Sequence, residues 1–286
     1  MPITSKFLCL NGRFLKEEDL FLDASNRAFR YGDGFFETMH YANGKVQLFD
    51  LHQKRMQKAM KLLQLESPIL LHQQLLHKEI VHLINANHFF KGARIRISIF
   101  RDGKGLYLPE SNNSNYLIES WALKEEDYPL NTTGLSIDIY PHLKKASGDT
   151  LFYKSLDSRI SILASLYKKE FNIDDCFILN NKGEIIESIS SNVFFIRQNT
   201  IYTPSKTSGC IHGIMREQIL KTLSKNNFKI DDKASIKPQQ ITEFDEIFIS
   251  NAIRGIQWIG AYKEKRFDHK IAQKIQKLVV NQIFDN

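Results

Sequence analysis

A lysine and a glutamate carry the most specific chemistry in this chain. Lys154 lies in the run Leu151-Phe152-Tyr153-Lys154-Ser155-Leu156-Asp157. Glu187 opens the run Glu187-Ser188-Ile189-Ser190-Ser191-Asn192-Val193-Phe194. A lysine amine attacks an aldehyde carbon only when it is neutral. Phe152, Tyr153 and Leu156 give Lys154 apolar flanks, and burial among such groups lowers an ammonium's pKa and favours the neutral form. A carboxylate does the complementary work. Facing a pyridine nitrogen, it keeps that nitrogen protonated, so the ring can draw electrons. Taken singly, both residues have an ordinary reading as solvated surface charges. The order lysine, then glutamate, then Ser191-Asn192 and a strand gives the pattern its specificity.

Three further segments suit a phosphate. Arg55 lies three residues after His52, so both project from one helix face. A planar guanidinium there can clamp a phosphate with two parallel bonds; the plainer reading is a solvated helix face. Cys210-Ile211-His212-Gly213-Ile214-Met215-Arg216 puts a glycine at a helix start, where backbone N–H groups and the helix dipole attract anions. Every helix has such an end, so this alone decides nothing. Ile249-Ser250-Asn251-Ala252 offers a hydroxyl and an amide at a strand end. No P-loop, dinucleotide-binding, H-E-x-x-H or paired C-x-x-C pattern occurs, and the histidines show no metal-ligand spacing, so no metal site is expected.

Composition narrows the class. The chain has 286 residues, 42% hydrophobic and 25% charged, enough for one large or two medium domains with a sizeable core. A net charge of +7 comes without a dense basic tract, which argues against nucleic acid and for attraction of anionic metabolites. Cys9, Cys176 and Cys210 are too sparse for a disulfide framework. The start, Met1 to Leu8, lacks the layout of a signal peptide, and no apolar run reaches the length of a membrane span. The chain therefore reads as cytoplasmic.

The elements must position these groups. Phe7–Leu10, Asn11-Gly12 and Arg13–Leu15 predict a hairpin, and Phe35–Tyr41 predicts a second strand after the turn at 31–34. Helical spacing covers 50–65, with Leu51, Met56, Ala59, Met60 and Leu63 on one face, and a second helix covers 70–87. Arg94–Phe100 alternates, with Ile95, Ile97 and Ile99 opposed to Arg94, Arg96 and Ser98. A glycine-flanked loop, Asp102-Gly103-Lys104-Gly105-Leu106, precedes a strand at 116–122. The charged stretch 124–133 is the expected linker between domains at 1–123 and 134–286. Beyond it come strands at 135–140, 175–179, 192–196 and 246–250. Helices are expected at 154–169, with a stripe of Leu156, Ile160, Leu163 and Tyr167, from Gly213, and from about Lys270.

These five segments, in this order, resemble the class IV aminotransferase family of pyridoxal-phosphate enzymes. The family includes branched-chain and D-amino-acid aminotransferases and 4-amino-4-deoxychorismate lyases. The run Asn26-Arg27-Ala28-Phe29-Arg30-Tyr31-Gly32-Asp33-Gly34-Phe35-Phe36-Glu37-Thr38 is similar to the family's opening motif. The resemblance implies an α/β fold of type IV, with a small N-terminal α/β domain and a larger C-terminal domain around a barrel-like core. It implies pyridoxal 5'-phosphate at their interface, an amino-acid-like substrate and a homodimer. Residue by residue, it implies Lys154 as the cofactor-linking lysine, Glu187 at the pyridine nitrogen and Arg55 at the phosphate. It places the backbone amides of Ile214 and Met215 on that phosphate, and Ser250 and Asn251 in the last phosphate-side loop. Ser191 and Asn192 follow Glu187 in the same motif.

Substrate class stays open between two activities. A lyase would release pyruvate and 4-aminobenzoate from aminodeoxychorismate, with Lys104 at a substrate carboxylate and Thr38 near the leaving side. The glycine-bracketed Lys104 and the Ser250-Asn251-Ala252 run resemble the lyases; Asp157, where they favour asparagine, departs from them. A branched-chain or related aminotransferase would use the same lysine, but its usual Phe-Glu-Gly is here Phe36-Glu37-Thr38. A catalytically silent binding protein would need neither Lys154 nor Glu187.

Overall fold

The computed structural model describes residues 7–67, 72–89, 91–148 and 152–284. Two compact units emerge: one runs to Asp127 and includes Tyr153–Asp157, and the other comprises Tyr128–Phe152 and Ser158 onward.

The first unit is a six-stranded antiparallel sheet with helices. Its strands are β1 (Phe7–Leu10), β2 (Arg13–Lys16), β3 (Gly34–Ala42), β4 (Lys45–Val46), β5 (Ala93–Arg101) and β6 (Ser114–Ala122), in the order β2-β1-β6-β5-β3-β4. The β1–β2 hairpin turns at Asn11-Gly12, both at positive φ, as an Asn-Gly turn requires. A short helix, α1 (Arg27–Tyr31), precedes β3; α2 (Phe49–Leu63) and α3 (Gln73–Ala86) follow β4. Positions 70 and 71, where the second helix was expected to begin, lie outside the described residues. Ile95, Ile97 and Ile99 of β5 are fully buried, as their alternation predicts. On the opposite face, β3 and β5 pair Phe36 with Ser98, Thr38 with Arg96 and His40 with Arg94. The buried face of α2 is Phe49, His52, Gln53, Arg55, Met56, Ala59 and Met60, so His52 and Arg55 are not on a solvated face.

The second unit is built on one curled sheet. Its strands are β7 (Leu135–Ile139), β8 (Asp175–Leu179), β9 (Ile185–Ser188), β10 (Asn192–Arg197), β11 (Thr200–Pro204), β12 (Lys229–Ala234), β13 (Glu246–Asn251), β14 (Gly255–Tyr262) and β15 (Lys265–Arg266). They run β12-β11-β10-β13-β14-β7-β8-β9, with β15 on β14. The sheet curls until β9, at its end, reaches residues beside β10: Ser188 N–H donates to Ser191 O at 2.8 Å. Ile137, Phe177, Ile185, Val193, Phe195, Ile247, Ile249 and Ile259 fill the inside of this half-barrel. Around it lie α4 (Arg159–Glu170), α5 (Ile214–Lys225) and α6 (Lys270–Phe284).

Two sequence expectations change. The helix expected from Lys154 begins at Arg159. Residues 154–156 are instead drawn onto the start of β3: Phe36 N–H donates to Lys154 O at 2.8 Å, and Leu156 N–H donates to Gly34 O at 3.2 Å. Leu156 accordingly leaves the helical stripe and packs on Leu8, Phe100 and Leu117. Leu163 is exposed, and Ile160, Ala164 and Tyr167 form the packed stripe. The expected block 134–286 is thereby interrupted, because Tyr153–Asp157 belongs with the first unit. Gly34 makes this docking possible, since a Cβ there would lie 2.2 Å from Ile99 O and 2.9 Å from Leu156 Cδ1.

Candidate active site

In the first unit, Lys154 is half-buried with its Nζ 5.4 Å from the Phe36 ring centroid. Burial, helped by the positive charges of Arg55, Arg94 and Arg96 and opposed by Glu37, pulls its pKa down to about 8. The Arg96 guanidinium lies over the same Phe36 ring, 3.8 Å from its centroid. Lysine, phenylalanine and arginines thus share one cationic, aromatic-lined surface of β3 and β5.

Glu37 was missed in the sequence. It is buried on β3 and takes three charge-assisted contacts from α2. Arg55 Nε donates to Oε1 at 2.7 Å, Arg55 Nη2 donates to Oε2 at 2.6 Å, and His52 Nδ1 lies 2.7 Å from Oε2. Burial works against the Glu37 charge, but Arg55 and His52 outweigh it and hold the carboxyl at about 2. Arg55, expected to fork onto a phosphate, presents that fork to Glu37, so its orientation is fixed by protein. A signal was available: Glu37 shares its strand face with Phe35 and Met39, an apolar face on which a carboxylate needs a partner.

Thr38 is buried, and its Oγ1 has no hydrogen-bond partner among the described residues. Lys104 is exposed on its loop. That loop is pinned by Arg27, a buried side chain also missed in the sequence. Arg27 Nη1 donates to the carbonyls of Lys104, Gly105 and Leu106 at 3.3, 3.2 and 2.6 Å, while its Nε holds Asp33 Oδ2 at 2.7 Å. The flanking glycines therefore serve a fixed turn and leave the three following apolar residues, Leu106, Tyr107 and Leu108, outward.

In the second unit, Glu187 is buried on β9. Lys145 Nζ donates to its Oε1 at 2.7 Å and the Ile211 N–H donates to its Oε2 at 2.9 Å. Asn192 Nδ2 donates to Ile211 O at 2.7 Å, and Asn251 Nδ2 donates to Ser191 Oγ at 2.9 Å. Asn192 and Ser250 are register partners on β10 and β13. These bonds bring Glu187, Ser191, Asn192, Ser250 and Asn251 to one end of the sheet, beside the start of α5. Ser191 and Asn192 work there as scaffold for the 211–213 loop and Asn251.

Helix α5 begins at Ile214 after Gly213, with no side-chain cap on its first amides. A Cβ on Gly213 would sit 1.9 Å from Asn192 Oδ1. The Ser250 hydroxyl is buried and has no partner among the described residues. An uncapped helix start beside an orphaned hydroxyl is a setting in which a phosphate completes the hydrogen bonding. Among the described residues no three His, Cys, Asp or Glu side chains group to hold a metal, and no helix is long and apolar enough to cross a membrane.

Comparison with known proteins identifies the class. The amino-transferase class IV family model matches residues 34–262, and the chain belongs to that family. It is a pyridoxal-phosphate enzyme of fold type IV. An aminodeoxychorismate lyase of Bacillus subtilis is 27% identical over 85% of this chain and 82% of its own length. A putative branched-chain-amino-acid aminotransferase of Methanocaldococcus jannaschii is 24% identical over 84% and 82%. Among solved structures, the branched-chain aminotransferase of Thermoproteus uzoniensis superposes with a TM-score of 0.86 at 22% identity, covering 98% of this chain and 95% of that one.

Proposed function

We propose that the chain is a 4-amino-4-deoxychorismate lyase, releasing pyruvate and 4-aminobenzoate. The observation that carries the reading is the set of cations round Lys154. Arg55, Arg94 and Arg96 all bear on its amine, which suits a substrate with two carboxylates. Arg55 is engaged by Glu37, and Arg96 lies 3.9 Å from Glu119. What favours the lyase is therefore the positive surface round Lys154, which attracts an anionic substrate more than an aliphatic one. The likeness to the Bacillus subtilis lyase points the same way. The named branched-chain relatives make an aminotransferase the competing reading.

The residue roles are those the family likeness implies, and the geometry within each cluster supports them. Pyridoxal phosphate, when bound, supplies an aldehyde for a lysine and a ring that withdraws electrons. Lys154, with its depressed pKa, is the amine that attaches to it and the base that takes the proton from the substrate α-carbon. Glu187 faces the pyridine nitrogen. In the second unit the amides of Ile214 and Met215, the Ser250 hydroxyl and Asn251 would hold the phosphate. In the first unit Arg55, kept in place by Glu37, is the guanidinium that the family likeness assigns to it. Thr38 offers its unpartnered hydroxyl to the substrate, and Lys104 its ammonium to the ring-side carboxylate. A second copy of the chain covers the outward apolar side chains of the first unit, Phe29, Tyr107 and Leu108, which are 82%, 90% and 85% exposed.

The test supplies the purified protein with chorismate, glutamine and the synthase that makes aminodeoxychorismate. Appearance of 4-aminobenzoate and pyruvate together is expected. Amino transfer from leucine to 2-oxoglutarate, with no 4-aminobenzoate formed, would overturn the lyase reading and leave the aminotransferase.

A further inference from the structure

Lys145 has no part in the sequence motifs, yet it makes the shortest contact recorded for Glu187. Its Nζ donates to Oε1 at 2.7 Å, with both side chains largely buried. The placement is built from the backbone outward. Lys145 N–H donates to Leu179 O at 2.9 Å, and Asn181 N–H donates to Lys145 O at 2.9 Å, so the residue is stitched as a one-residue bridge onto the end of β8. On the neighbouring strand, Glu187 is the register partner of Ile178. The two side chains therefore meet from adjacent strands, each on a fixed backbone. The other carboxylate oxygen is held by the Ile211 N–H.

The remaining titratable neighbours do not replace this charge. Cys210 feels Glu187, Lys145 and Arg216, and burial pushes its thiol up, so it is neutral near pH 7. Arg216 is turned away onto Thr203 Oγ1 and the carbonyls of Pro204 and Asp232. Among the described residues, Lys145 is thus the cation in direct contact with Glu187.

We propose that Lys145 is a positioning residue that sets how strongly Glu187 holds a proton on the pyridine nitrogen. The inference rests on the reading of Glu187 as the partner of that nitrogen. An ammonium on one oxygen keeps the carboxylate in one rotamer and spends part of its negative charge. The same positive charge opposes a second cation on the ring. Lys145 therefore lowers the proton affinity of the pyridine nitrogen from the value that Glu187 alone would give it. The expected size is about tenfold in proton affinity, or about one pH unit.

The experiment loads the enzyme with pyridoxal phosphate labelled with ¹⁵N in the ring and follows the nitrogen signal by NMR as pH is raised. In Lys145→Met the midpoint for loss of the ring proton should move up by about one unit. Lys145→Gln gives a second neutral side chain should the methionine variant fold poorly. Lys145→Arg keeps the charge and should restore the wild-type midpoint. Glu187→Gln should move the midpoint down. If Glu187→Gln leaves it in place, the assignment of Glu187 itself fails. If Glu187→Gln lowers it while both neutral variants match wild type, Glu187 stands and the role of Lys145 is overturned. A fall in the neutral variants would also overturn it, because a merely structural lysine loosens Glu187 and weakens the proton's hold.

Discussion

Held at about 8, Lys154 is neutral on the order of a hundred times more often at pH 7 than a lysine at its ordinary 10.5. Capture of added pyridoxal phosphate by the cofactor-free protein should therefore speed up with pH and level off above a midpoint near 8. Stopped-flow absorbance measures this, and a midpoint near 10 would show that the amine is not depressed. Lys154→Ala should take up no covalent cofactor, read as no added mass after borohydride reduction. The linkage for stability has the same sign. A depressed lysine pKa means the folded chain sheds the proton first, so stability rises with pH between about 8 and 10.5.

Glu37 has the same sign of linkage, in an acid window. Its folded pKa of about 2 lies below the ordinary 4.5, so its stabilising contribution is complete above 4.5 and fades as pH falls towards 2. Glu37→Gln leaves the buried Arg55 without its counter-charge, a loss of about 3–5 kcal/mol. Urea unfolding at pH 7 should show that loss, and the difference from wild type should shrink as the pH is lowered. An equal stability at pH 7 would mean that water or another group pairs with Arg55 instead.

At the scale of elements, Gly213 is placed where the backbone nearly touches a polar side chain. Gly213→Ala would drive a Cβ into Asn192 Oδ1, 1.9 Å away, and displace the first amides of α5. Cofactor affinity should fall about tenfold, which corresponds to the loss of one good hydrogen bond to a charged group, while the melting temperature changes little. Equilibrium dialysis decides it: unaltered affinity would take the α5 start out of the phosphate site. The strand periodicities were readable because alternation is local. Ile95, Ile97 and Ile99 turn inward as their spacing requires. The start of α4 was not readable, since residues 154–156 have helical composition but find backbone partners on β3, far away in sequence. Tertiary pairing there outweighs a weak local preference.

For the whole molecule, Leu106, Tyr107 and Leu108 stand outward on a loop that Arg27 holds rigid. A fixed apolar ridge of this kind suits a second copy. On the proposed pairing of two copies, replacing Leu106 and Leu108 together with lysine should halve the mass seen by light scattering at micromolar concentration. An unchanged mass would place any subunit contact elsewhere.

By itself, the sequence determined the class of chemistry and the family. Lys154, Glu187 and the glycine-led helix start are short-range patterns, and their order along the chain survives without knowledge of any contact. Only the tertiary structure decided which charges meet. Glu37 with Arg55 and His52, Lys145 with Glu187, and Arg27 with the 104–107 carbonyls are each joined across strands or helices distant in sequence. Nothing in a residue's neighbours along the chain states its partner across a sheet, because register and curl set those distances. Electrostatics depends on the distances, and so the pKa of Lys154 and the fixed fork of Arg55 appear only once the chain is folded.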